Sequence, residues 1–405
     1  MNKFASTSRP FRSVPVHSLG ISQILAYGPL FYGFAQFKQP LGLQYQLSEL
    51  YILTALSLTV GAQACLAPIY GYFADRYSAL WVMCFGFFAG AIGLGLLAVG
   101  SSVTGLLASF GCIGIAMGCA TYELAFSSAV QLDEKNARIN ISYITFYGAL
   151  ASSITWLVTG PLLAQFGLVK TLWLMIIALC VAGVRMGMLA HLYRPARHAS
   201  SFSFARFRWS DLQLSEKKAM LLLALAGGFE YLAFGAAAMM WISWFTSLYQ
   251  DLAIAVMLAS IYGPFQLFGR MAEMYFGKMF DARLTGAVAS SFVPLAMMLA
   301  WIDNLYISAL AMALFGMGHG VLTVTLGFVT NLYFRAEIYG RAKGWVSLPR
   351  SMGLAMGPLA GGFVFAHFGN NFLMIIMGCF LISCLCIWAL LLQPPTNQIH
   401  IKSRT

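Results

Sequence analysis

Charge is the scarcest feature of this sequence: Asp, Glu, Lys and Arg make up 9% of its 405 residues, against 60% hydrophobic ones. A soluble globule of this size cannot be coated with so little polar surface, so most of the exterior must face lipid. Cysteine is not absent, but all eight cysteines fall inside apolar stretches, Cys384 and Cys386 included, which suggests neither a disulfide framework nor a zinc site. Phosphate-binding glycine loops, hydrolase elbows and metal-ligand spacings are missing as well. An ATP-driven pump and an enzyme are therefore not expected, and the sequence calls for no cofactor and no metal. The scarce charge leans to one sign, with 24 basic against 13 acidic residues and a net charge of +11. No basic, aromatic-interleaved soluble segment accompanies it, so a nucleic-acid partner is not implied.

What the chain does have is long apolar runs. A hydrocarbon core about 30 Å thick needs roughly 20 apolar residues per helix. Such runs recur near 16–37, 49–70, 79–99, 103–128, 139–164, 170–192, 217–247, 252–277, 285–302, 304–331, 342–366 and 371–392. They are continuous and rich in Leu, Met, Ala and Gly, unlike the short alternating segments of a barrel. The expected fold class is an all-α integral membrane protein of twelve transmembrane helices. The first run follows Lys3, Arg9 and Arg12 but exceeds the apolar core of a signal peptide and lacks a cleavage site, so it reads as a retained helix.

The longest polar break, 193–216, splits the spans into six and six. The expected organisation is an N-terminal tail at 1–15, a six-helix half at 16–192, a linker at 193–216, a second half at 217–392 and a C-terminal tail at 393–405. The linker mixes Arg194, Arg197, Arg206 and Arg208 with Phe202, Phe204, Phe207 and Trp209, a composition suited to the headgroup interface. With both termini cytoplasmic, only Lys38 and Lys170 among the basic residues fall on the far side, while Arg185, Arg270 and Arg350 stay inside helices. The positive-inside rule then places the chain in the inner membrane with both ends inside. The lipid bilayer itself becomes a partner, and a monomer is expected.

The halves share a local pattern at the turn after their second span: Gly71, Asp75 and Arg76 in the first, Gly277, Asp281 and Arg283 in the second. This repeated glycine-aspartate-arginine turn resembles the signature loop of major facilitator transporters. The resemblance implies two pseudo-symmetric six-helix halves and assigns those six residues to the inner gate. The first turn departs from the family pattern, since Tyr77, Ser78 and Ala79 follow Arg76 where a further glycine and a basic residue are usual. Gly160-Pro161 and Gly357-Pro358, with Gly361 and Gly362, resemble the family's close-packing sites. Tyr122-Glu123 with Phe126 in the fourth span and Gly269-Arg270 in the eighth look like bacterial relatives of the monocarboxylate porter branch. That likeness makes Arg270 the position that would meet a substrate carboxylate; Lys38 sits too far toward the outer end to match the branch's lysine in the first span.

Ionisable groups inside a bilayer cost roughly 2.5–3.5 kcal/mol each and usually serve a cavity or a partner. They are Glu123, Arg185, Glu230, Arg270, Glu273, His319 and Arg350. At about 1.5 Å per residue, Glu123 lies ~15 Å, Glu230 ~18 Å and His319 ~24 Å deep, near the midplane. They fall on the fourth, seventh and tenth spans, which by the family resemblance line the central pathway together with the first. Glu230 and Glu123 are either proton carriers or fixed ion-pair members, and His319 either relays protons or bonds a carbonyl. Arg270 either anchors an anion or pairs with Glu273 three residues on, and Arg350 is a second cationic candidate. Tyr27 and Tyr147 are aromatic candidates for the pocket. The expected activity is secondary transport of a small organic solute, a carboxylate-bearing anion, coupled to a proton or another ion. The alternatives are proton-coupled efflux of amphipathic or cationic compounds and a non-transporting membrane sensor.

Overall fold

The computed structural model describes residues 15–133, 136–193, 209, 212–276, 279–334 and 339–395. Helix dominates these residues, and no strand occurs among them. Ten stretches are long and apolar enough to cross a membrane as they stand. The difference from twelve has two local causes. The stretch Ile139–Tyr193 holds two spans that turn at Gly167, whose φ of 72° and ψ of 177° lie outside the helical region. The first span is interrupted: Val16–Tyr27, a π turn at Gly28–Tyr32 and Phe34–Tyr45 follow one another. Pro29 cannot donate a backbone hydrogen bond, and Gly33 N–H reaches back five residues to the Gly28 carbonyl at 2.7 Å.

The other spans follow the apolar runs with modest extensions. The second is Glu49–Tyr77 and the third Ala79–Val99. The fourth breaks at Thr121 between Val103–Ala120 and Tyr122–Leu132. The fifth begins at Ala137–Ala149 and continues into Ala151–Tyr193, which also holds the sixth. The seventh is Leu214–Tyr249, closed at its start by a box in which the Gln213 amide donates to the Glu216 carboxylate at 2.8 Å. The eighth comprises Leu252–Ser260 and Tyr262–Phe276, and the remaining four are Ala282–Leu299, Leu305–Tyr333, Tyr339–Phe368 and Phe372–Leu391. Of the expected linker, only Tyr193, Trp209 and 212–216 lie within the described residues.

Small residues let neighbouring helices touch backbone to backbone, which is the main source of association where lipid offers no hydrophobic drive. The seam between the seventh and eleventh spans shows it. A Cβ at Gly357 would stand 2.6 Å from the Gly235 Cα, and one at Gly361 would stand 2.7 Å from the Ala236 Cα. The third and fourth spans meet the same way, with Gly86 against Cys119 and Gly90 against Ala116.

Among the described residues, the contacts between the halves lie at the far face and midway, away from the terminal face, where Val16 enters and Leu391 leaves. Ser57 Oγ accepts from the Leu359 amide at 2.9 Å, and Gly362 packs on Leu53. Ser153 Oγ donates to the Ser260 carbonyl at 2.6 Å and accepts from the Gly263 amide at 2.9 Å. Along the second span the face that carries Leu53, Ser57 and Gly61 toward the eleventh continues through Cys65 and Tyr72, both exposed. Gly71 has nothing within 4 Å of a notional Cβ, and Trp345, Leu348 and Met352 of the eleventh span are exposed too. Among the described residues the halves are closed on each other at the far face, and these positions toward the terminal face are exposed.

Candidate substrate site

The π turn of the first span does chemical work. A bond from residue i to i+5 brings residues five apart onto one face, where an α-helix would turn them away from each other. Tyr27 and Tyr32 therefore stand side by side with ring centroids 6.4 Å apart. The break at Thr121 turns Tyr122 toward them, 4.9 Å from Tyr27. Across the interface, Arg270 of the eighth span reaches into this tyrosine group. Its Nη1 donates to the Thr145 carbonyl and to the Tyr122 hydroxyl, the latter at 3.4 Å. Tyr32 and Tyr262 lie within electrostatic reach of the same guanidinium.

Arg270 is 6% exposed, its Nε has no hydrogen-bond partner, and no carboxylate lies within ion-pair distance among the described residues. Glu273, the rival partner on its own helix, accepts instead from Thr285 Oγ1 of the ninth span at 3.3 Å. A guanidinium always carries its charge and offers five donors. This one is desolvated, hydrogen-bonded only to neutral oxygens and short of an anion.

Beside it sits a second group. Glu230 and His319 are both buried, with Oε1 and Nδ1 3.7 Å apart, too far for a hydrogen bond, and neither atom has another partner. Phe234 packs on His319 at a centroid distance of 4.2 Å, with Tyr231 and Tyr262 about it at 6.0 and 6.1 Å. Arg350 of the eleventh span lies 4.0 Å over the Tyr231 ring and donates through Nη2 to the Tyr231 hydroxyl. Arg350 is also within electrostatic reach of Glu230, and His319 is within reach of both arginines. The first, fourth, seventh, eighth, tenth and eleventh spans thus converge on one polar cluster, in which Tyr32, Tyr231 and Tyr262 were not legible as special among many aromatics.

Residues 19–348 and 276–405 match the family model described as Major Facilitator Superfamily. The chain belongs to the major facilitator superfamily. Three solved facilitator structures share its fold. A variant of the nucleoside transporter NupG superposes with a TM-score of 0.72 at 15% identity, covering 92% of this chain and 99% of that one. A POT peptide transporter in complex with alafosfalin gives 0.71 at 12% identity, covering 94% and 96%. An auto-inhibited POT-family peptide transporter gives 0.70 at 12%, covering 93% and 96%. No curated protein matches the sequence. This facilitator is a multi-pass membrane transporter and not an enzyme.

The facilitator's remaining expected site residues are placed apart from the cluster. Glu123, next to the break at Thr121, is exposed, and no hydrogen bond engages its carboxylate among the described residues. The Tyr147 hydroxyl bonds His17 Nδ1 at 2.6 Å, which ties the fifth span to the start of the first. Of the gate residues, Arg76 donates to Tyr72 of its own helix, at 2.8 Å, and a Cβ at Gly71 would meet nothing within 4 Å among the described residues. The Asp75 side chain and Gly277 lie outside the described residues. Asp281 caps the ninth span and forms a close pair with Arg283, Nη2 to Oδ2 2.6 Å, while Arg283 Nη1 reaches the Gln393 carbonyl at 3.3 Å. Partial burial raises the Asp281 carboxyl, but the bonds from Arg283 outweigh this and hold it below its ordinary value. Such a group contributes stability near neutrality that is lost as the pH falls through its lowered titration.

Lys38 stands where the sequence reading left an outer-end cation. The helix runs eight residues past the expected end of the first span and carries Lys38 inward, 4% exposed. Its Nζ donates to the Met239 carbonyl at 3.2 Å and to Ser243 Oγ at 2.8 Å, and lies 3.6 Å from Glu49. It therefore links the first, second and seventh spans where the far face is closed. Lys38→Met is expected to open that face. Each lost charge-assisted bond is worth about 1.5–3 kcal/mol, enough for roughly a tenfold rise in the far-open population. The readout is far-side maleimide labelling of Ala355→Cys, a position facing Gly61 across the interface, in a cysteine-free background. Unchanged labelling would rule out a latch at Lys38.

Proposed function

We propose that this secondary transporter carries a small carboxylate-bearing anion, with Arg270 as the anion anchor and Glu230 as the site of the coupling proton. The observation that carries the reading is the buried Arg270 at the meeting of the two halves, with no counterion among the described residues. An uncompensated buried charge costs several kcal/mol, and a substrate carboxylate bound there would offset that cost. The donors left over suit a bidentate carboxylate. Its bonds to Thr145 and Tyr122 of the first half couple anion binding to the contact between halves, as alternating access by rocking of two six-helix units requires. Glu123, exposed near the same depth, would serve as a second proton site.

The basic residues favour a cytoplasmic terminal face in an inner membrane, which makes the conformation inward-open. Gly71, Asp75, Arg76, Gly277, Asp281 and Arg283 would then form the inner latch once the halves close on that side. A monomer suffices for this cycle, since the cluster is built from one chain.

Export of cationic compounds is the competing reading, because Glu230 Oε1 is also unpaired. Purified protein in liposomes separates the two. Labelled short monocarboxylates and dicarboxylates are expected to enter faster when an inward proton gradient is imposed, whereas cationic dyes are not moved. Gradient-driven dye flux without carboxylate flux would replace the anion reading with export through Glu230 and Glu123.

A further inference from the structure

The anion reading fixes where a carboxylate would bind but not how many anionic groups the solute carries, and the charge balance of the cluster bears on that. Two permanent cations, Arg270 and Arg350, face it. One carboxylate, Glu230, stands among them. The groups packed about Glu230 are His319 from the tenth span, Arg350 from the eleventh and Ser383 from the twelfth, with Tyr231 next to it on its own helix. None supplies another negative charge. Glu273 is committed to Thr285, and Glu123 is exposed on the fourth span. With His319 as the neutral imidazole, the empty cluster carries one excess positive charge, and a proton on His319 only adds to it.

A loaded site deep in a low-dielectric bundle favours neutrality. One carboxylate satisfies this only if Glu230 stays ionised, in which case no proton accompanies it. If Glu230 takes a proton on loading, both guanidiniums are left without a counter-charge, and neutrality needs two anionic groups. Arg350 is equipped for the second. Tyr231 engages one of its donors, its other contact is the face of the Tyr231 ring, and no carboxylate lies within ion-pair distance of it among the described residues.

We propose, resting on the anion reading above, that the solute is a dicarboxylate, with one carboxylate on Arg270 and the other on Arg350, and that it loads together with one proton on Glu230. The proton moves from water to a Glu230 oxygen, which releases Arg350 from its attraction to Glu230 and frees it for the solute. On unloading, the proton returns to water and the Glu230 carboxylate again competes for Arg350, so one proton transfers the second guanidinium between protein and solute. No covalent bond other than O–H is made or broken.

The proposal has two readouts in proteoliposomes. In competition for labelled succinate uptake, dicarboxylates such as malonate and succinate are expected to be at least about tenfold better competitors than acetate or propionate, the value of one charge-assisted pair. Arg350→Gln should bring that ratio to about one, and Arg350→Lys should restore part of it, with gel-filtration profiles certifying the fold of each. Because a dianion with one proton moves one net negative charge, an inside-positive potential set by potassium and valinomycin should speed succinate uptake. Equal competition by both classes, electroneutral uptake or an unchanged ratio in Arg350→Gln would overturn the dicarboxylate assignment while leaving the anion reading intact. If neither class competes or enters, both fall.

Discussion

Arg270→Gln is expected to lower carboxylate uptake by about two to three orders of magnitude, with little loss of folded protein. Breaking a buried ion pair by removing one partner costs about 3–5 kcal/mol, and each 1.4 kcal/mol is a factor of ten. In the substituted protein the solute's carboxylate would enter a desolvated site with only tyrosine hydroxyls and a neutral amide to meet it. The empty protein loses less. Arg270 has no carboxylate to orphan, its hydrogen bonds go to the Thr145 carbonyl and the Tyr122 hydroxyl, and Gln keeps a donor for one of them. Arg270→Lys keeps the charge without the fork and should retain partial uptake with a raised KM. The measurement is initial-rate uptake of labelled carboxylate in liposomes, normalised to folded protein by gel filtration. If Arg270→Gln transports normally, or if Lys and Gln fail alike through loss of folded protein, Arg270 is a packing residue and the anion reading loses its support.

The span pattern was legible in the sequence because apolar length is a property of consecutive residues, and ten of the eleven breaks between runs need only polar or glycine-rich turns, the other being the linker. The interruptions inside spans were not. The π turn at Gly28–Tyr32 inserts one residue into a helical period, so Tyr27 and Tyr32 look far apart on a 3.6-residue wheel yet share a face in the fold. Thr121 breaks the fourth span with no proline, and Gly118 three residues earlier is one glycine among the several that this span carries without a break. Arg270 was legible as an intramembrane cation, but its fate was not. Counting from the polar edge gives a depth of ~10 Å, at which a long side chain can snorkel to the headgroups. The guanidinium instead turns into the interface, because the Thr145 carbonyl on the opposite half waits there and Glu273 is taken by the ninth span. Tyr147 meets His17, and Lys38 meets the seventh span, through contacts more than a hundred residues apart in sequence. The first depends on how helices pack within one half and the second on how the halves meet, and no single helix encodes either.

Glu230→Gln is expected to abolish accumulation driven by a proton gradient while solute exchange across the membrane continues. Gln has the shape of the protonated carboxyl and cannot release a proton, so the variant would behave as though always loaded with one. With one proton per solute and the membrane potential clamped at zero, each unit of pH gradient supports at most about a tenfold solute gradient, since a pH unit is worth about 1.36 kcal/mol. The wild type should approach that limit and the variant should stop at equal concentrations, with exchange rates that no longer depend on pH. The proton site could instead be His319, whose Nδ1 is 3.7 Å from Glu230 and equally unpartnered. In that case Glu230→Gln would slow both modes together and leave the driven gradient intact, whereas His319→Asn would remove it. Should Glu230 act only as a fixed counter-charge for Arg350, the substitution would weaken binding in both modes with the pH dependence preserved. Measuring exchange and driven accumulation side by side in the same vesicles therefore assigns the proton to a side chain, because only the group that carries it can separate the two modes.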